Sequence, residues 1–177
     1  CRLPLTFSAL AWLVASTAFA QHTAMPAGMT HEQHMAQMKK DAEMKAHGDS
    51  AMGFDQDKTT HHFTMTSEGG AIAVTANDAA DTTSIAQVRQ HLQEIAVAFK
   101  RGDFGKPLET HSELPPGVPT MQRLDDAITY TYAETPGGGI VRISSPNAEA
   151  RAAIHEFLSY QVREHHTGDP LTPPRDR

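Results

Sequence analysis

His61–Asn77, HHFTMTSEGGAIAVTAN, and Ile128–Asn147, ITYTYAETPGGGIVRISSPN, are each followed by an amphipathic run, TTSIAQVRQHLQEIAVAFKRGDF (82–104) and AEARAAIHEFLSYQVREHHTGD (148–169). Both units read as strand, Gly-rich turn, strand and helix. In the first, strands near His62–Thr66 and Ala71–Ala76 flank Glu68-Gly69-Gly70; in the second, Ile128–Ala133 and Ile140–Ser144 flank Pro136 to Gly139. Glycine at such turns supplies positive φ. The first helix is expected to start near Thr82 or Thr83. Ile85, Val88, Leu92, Ile95, Ala96 and Phe99 recur at helical period, and Gly102 ends it. Asn147 caps the second. Ala150, Ile154, Phe157, Leu158 and Gln161 form its buried side, and Thr167-Gly168 ends it. The predicted fold class is α+β: a duplicated ββα unit, with a four-stranded antiparallel sheet and both helices on one face.

Outward from this domain, placed at 54–170, the composition shifts. The 177-residue chain has eleven His and eight Met but one Cys, Cys1, and six of the eight Met lie between Met25 and Met52. Residues 1–20 read as a signal peptide: Arg2, an apolar run, then Ala18-Phe19-Ala20. Cys1 precedes the run, so it is not placed as a lipid-accepting cysteine. Cleavage after Ala20 would give a secreted or periplasmic protein without thiols, whose only soft donors are thioethers. A net charge of −6 and no basic stripe argue against nucleic acid, and against a membrane surface once the signal is removed. Residues 171–177 read as a disordered tail.

Residues 21–53, QHTAMPAGMTHEQHMAQMKKDAEMKAHGDSAMG, contain no Leu, Ile, Val or Phe, the residues an apolar packing face would normally use. Pro26 and Gly28 favour a flexible lead. Thr30 with Gln33 forms a capping-box pattern, and Gly48 is the expected stop, giving a helix of about 17 residues that is marginal alone in water. His31, His34, Met35 and Met38 fall on one face; Met44 and His47 make a second pair. Imidazole suits Cu(II) and Zn(II) and thioether suits Cu(I), so mixed His/Met donors point to copper in either oxidation state before zinc. An amphipathic tail packed on the domain is the competing reading.

Within the domain, His61 and His62 are adjacent on a strand and therefore face opposite ways. His111 and Met121 lie in a Pro-rich connection of some 20 residues, a length that often carries function, and are candidate ligands with His61 or His62. His91 and His155 are read as hydrogen-bonded residues at the edge of their helical faces, and His165 and His166 as charges complementing a helix C-terminus. The segments MGFDQDKTTHHF, PPGVPTM and IHEFLSYQ…HHTGD resemble an uncharacterised family of small secreted bacterial proteins, and the leader is like His/Met-rich periplasmic copper-binding proteins. The first resemblance implies a shared domain over 52–170 and no mechanism.

The functional expectation is a periplasmic metal-binding protein, copper preferred, in metal resistance, buffering or delivery, with a periplasmic copper-handling protein as partner. Its alternatives are a His-based or metal-dependent enzyme and a non-catalytic interaction domain. No zincin motif, nucleophile elbow or phosphate loop supports the enzyme. A Thr-rich open sheet face, with Thr64, Thr66, Thr129, Thr131 and His62, offers a surface to a second copy of the chain as a homodimer. Copper affinity is expected to fall as pH drops below about 6.5, because protonated imidazole cannot ligate.

Overall fold

The structure, a computed structural model, describes residues 28–174, so residues 1–20, read above as a signal peptide, residues 21–27 and the last three residues lie outside it. Helix α1 (His31–Met52) leads into strands β1 (Thr59–Thr66) and β2 (Gly69–Ala76) and helix α2 (Thr82–Phe99). Two short helices follow, α3 (Gly105–His111) and α4 (Val118–Arg123), then β3 (Thr129–Thr135), β4 (Gly138–Ser144) and helix α5 (Ala148–Glu164). The four strands form one antiparallel sheet in the order β1-β2-β4-β3, with α2 and α5 packed on one face. This is the α+β architecture expected from the repeated ββα pattern.

Both hairpins close over two residues, Ser67-Glu68 and Pro136-Gly137, with Thr66 opposite Gly69 and Thr135 opposite Gly138. The paired glycines therefore sit mostly inside β2 and β4 rather than at the turn tips. Gly70 explains why. A Cβ there would run into Leu158 Cδ1 of α5 and the Thr64 carbonyl, so its bare backbone lets the helix approach the sheet. Between the layers, Val74 and Val141 meet Leu92 and Phe99 of α2 and Ile154, Phe157 and Leu158 of α5, all essentially sealed from solvent.

Three local expectations are revised. The connection after α2 is not one open loop: Phe104, Val118 and Met121 are buried in the core, and this burial folds the stretch into α3 and α4. Gly48 does not stop α1, which continues for 22 residues to Met52 and ends on left-handed Gly53. Gly48 is instead buried, and its missing Cβ admits the Gln56 side chain, whose Nε2 donates to Lys45 O at 3.0 Å. The leader helix is also docked on the domain, against α3. Its docking is mostly polar: Lys40–Glu164 at 2.8 Å, Lys106 Nζ donating to Ala51 O at 2.7 Å, and only Gly48 and Ala51 buried.

The outer edge of β1 is blocked by the segment after α5. Asp169 Oδ2 accepts the Phe63 N–H at 2.9 Å, and Asp169 Oδ1 meets His62 Nδ1 at 3.0 Å. A carboxylate on an otherwise unpaired edge discourages strand addition there. No helix among the described residues is long and apolar enough to cross a membrane.

Gly70→Ala is expected to destabilise the fold by about 2 kcal/mol, as overpacking of a tight contact does. Urea unfolding checks it, and a loss below about 0.5 kcal/mol would show that α5 does not depend on this close approach.

Candidate functional site: a cavity lined by imidazoles

Strand alternation sends His61 toward the helices and His62 to the open face, as expected. His61 lies in one cluster with His91 from α2, His111 from the end of α3 and His165, which directly follows α5. All four line one cavity of about 60 Å³ whose walls are otherwise largely apolar, with Phe63, Val74, Leu92 and Phe157 among them. The volume is enough for an ion with a water or two.

The rings are packed partly in stacks and partly edge to face. His61 stacks on His165 with centroids 5.5 Å apart and an interplanar angle of 16°. On its other side lies Phe54, at 5.8 Å. Phe54 in turn receives His91 edge-on at 5.4 Å, and His111 stands edge-on to His165 at 5.2 Å. Buried Gln161 accepts from His111 Nε2 through its Oε1 at 3.0 Å, which leaves Nδ1 as the lone pair of that ring. A partner that fixes one ring nitrogen and frees the other is what ligating histidines use.

Three of the rings present a buried nitrogen with no hydrogen-bond partner: His61 Nε2, His91 Nδ1 and His111 Nδ1. Gln161 Nε2 is in the same state. An orphaned buried polar atom costs about 1–3 kcal/mol, so the cluster is destabilising as it stands. Among the described residues, no three His, Cys, Asp or Glu side chains are already arranged to hold a metal ion. Simultaneous ligation would need ring rotations within the cavity.

Burial sets the charge of the cluster. Desolvation pushes His61 down to about 4, helped by His62. Desolvation takes His91 to about 3, with Lys106 and His61 adding repulsion, and His165 also to about 3, with His61, His111 and His166 adding theirs. His111 is lowered too, because burial outweighs its bond to Gln161 and the carboxylates of Glu164 and Glu113. At neutral pH the cavity is thus lined by uncharged imidazoles, the form that ligates a metal.

The other sequence-chosen residues separate into groups. His31, Met35 and Met38 are exposed and His34 is half-buried on the first half of α1. Met35 lies about 25 Å along the helix from Met52. His47 is exposed, its Nδ1 meeting Ser112 Oγ at 3.2 Å. Met44 borders an outer cleft that shares His61 and His165 with the cavity. Met121 is fully buried in the core and His62 stays on the open face, so neither lines the cavity. His155 is held by the Thr66 and Gly69 carbonyls, at 2.9 and 3.0 Å, the edge role expected of it.

Met52, His91 and His165 are the cavity residues that the sequence reading had not placed among the ligands. For His165 a signal exists in the sequence, since it follows Ile154, Leu158 and Gln161 of the buried side of α5 at helical spacing. No family model, curated protein or solved structure matches the chain.

Unfolding returns these histidines to the ordinary value of 6.5. Below that pH the unfolded chain binds protons that the folded chain refuses. Stability is complete above about pH 6.5 and is lost as pH falls toward 4, by up to about 1.4 kcal/mol per pH unit for each ring. His91→Leu is expected to flatten that slope and to leave the protein at least as stable at pH 7.5, because it removes an orphaned nitrogen. Thermal midpoints measured from pH 8 to 4 check both; an unchanged slope would mean that His91 protonates freely in the folded state.

Proposed function

We propose that this protein binds a metal ion of the copper class in the imidazole-lined cavity and buffers or delivers that ion in the periplasm or outside the cell. One observation carries the reading: four imidazoles from four separate elements line one small cavity, and three of them carry a buried nitrogen without a hydrogen-bond partner. Such a cluster costs stability unless a ligand repays it, and a cation is the ligand that neutral imidazole lone pairs accept. The export reading rests on residues 1–20, and a thiol-free mature chain fits a compartment where thiols oxidise.

The exposed face of His31, His34, Met35 and Met38 supports a second, weaker copper contact on the first half of α1. Two thioethers about half exposed to water, Met35 at 51% and Met38 at 49%, are not explained by packing. A patch of this kind could meet an incoming ion or a copper-handling partner.

Equilibrium titration with competing chelators tests the assignment. The cavity variants His91→Leu and His111→Leu are expected to weaken the tight site by at least about a hundredfold, since each removes one ligand. Changing His31, His34, Met35 and Met38 together should leave it intact. Tight binding should also persist to about pH 5, below the loss near 6.5 expected of solvated imidazole, because burial already keeps protons off these rings. Loss of all tight binding on changing the α1 patch, with the cavity variants unaffected, would place the site on the leader and refute this reading.

A further inference from the structure

We infer that the cavity selects a singly charged soft cation, Cu(I) or its congener Ag(I), over Cu(II) and Zn(II). The inference rests on the metal reading above and narrows it to a charge. Its basis is what the walls lack: among the described residues, no Asp or Glu lines the cavity, and the charged group that borders it is the Lys106 ammonium. Imidazole and thioether are neutral donors, so they cannot cancel the charge of the ion they hold. The cost of moving an ion into a low-dielectric space grows with the square of its charge, so a divalent ion pays about four times the penalty of a monovalent one. A divalent ion normally recovers that cost from a carboxylate or thiolate, and this cavity supplies neither.

Carboxylates are present farther out, and each is engaged elsewhere. Asp57 and Glu94 border the outer clefts, with Lys45 3.3 Å from Asp57 and Lys106 3.8 Å from Glu94. Glu164 pairs with Lys40 at 2.8 Å, and Glu113 accepts from Tyr160 OH at 2.7 Å.

The thioethers point the same way. Helix α1 sets one methionine at each approach to the cavity. Met44 borders the cleft shared with His61, His165 and His166, and Met52 lines both the cavity and the cleft that reaches His91. Thioether is a poor ligand for Zn(II) and a good one for Cu(I). Low-coordinate Cu(I) and Ag(I) are also served by two or three neutral donors, fewer than a four-coordinate divalent site demands. No electron is transferred, because the ion enters and stays monovalent.

The test is a parallel titration of the full chain with Ag(I), with Cu(I) delivered anaerobically from a chelator, and with Zn(II) and Cu(II). Affinity and the shift in thermal midpoint are read for each ion. Ag(I) and Cu(I) are expected to bind one per chain in a site weakened by His91→Leu and His111→Leu, with Zn(II) at least about a thousandfold weaker there. Met52→Leu should weaken Cu(I) and Ag(I) about tenfold and leave Zn(II) unaffected. It keeps the apolar volume, so folding is preserved if the histidine variants prove unstable. Zn(II) or Cu(II) binding in the same site within tenfold of Ag(I) would overturn the charge selection and leave the metal reading standing. No ion binding in the cavity at all would overturn both.

Discussion

Four imidazoles held out of water are the constraint from which the rest of this structure can be read. Burial next to Phe54, Phe63 and Phe157 keeps the rings uncharged, and the small cavity leaves several of their nitrogens without partners. Leu or Ile in those places would leave no such nitrogen unpaired. The duplicated scaffold instead brings β1, α2, α3 and α5 to one point and places a histidine on each. Stability spent in this way, beside a hydrophobic core sealed elsewhere, is the usual mark of a functional site.

Helix α1 is bound up with that cavity although its sequence is foreign to the domain. It has no apolar stripe, buries only Gly48 and Ala51, and is fastened by ion pairs and by side chains reaching backbone carbonyls. Docking of this sort buries little apolar surface. It also leaves the methionines of α1 free for another purpose. Met44 and Met52 flank the imidazoles, while Met35 and Met38 face solvent a few turns away. The methionines of α1 are thus divided between a surface patch and the surroundings of the cavity.

Much of the fold was legible because both ββα units carry their signals locally. Alternation in ITYTY and HHFTM, the Asn147 cap and the apolar period of α2 each act within one element. The hairpin glycines were misread: their local signal is a turn, but Gly70 answers to a helix distant in sequence, and Gly48 answers to Gln56. The same distinction governs the site. His61 and His111 were chosen from a strand position and a long connection. His91 and His165 looked like edge and cap residues, since nothing local says that they meet. Their place in one cavity arises from packing among four elements, and a single helical wheel cannot show it. Met121 drew attention by chemistry, and the buried turn of α4 gives it a place in the core instead.

Ring-nitrogen NMR of ¹⁵N-histidine-labelled protein with one equivalent of Ag(I) tests the central claim most directly. Resolved silver–nitrogen couplings are expected on cavity rings, at His61 Nε2, His91 Nδ1 and His111 Nδ1. Couplings confined to His31, His34 or His47, or spectra unmoved by the ion, would contradict it.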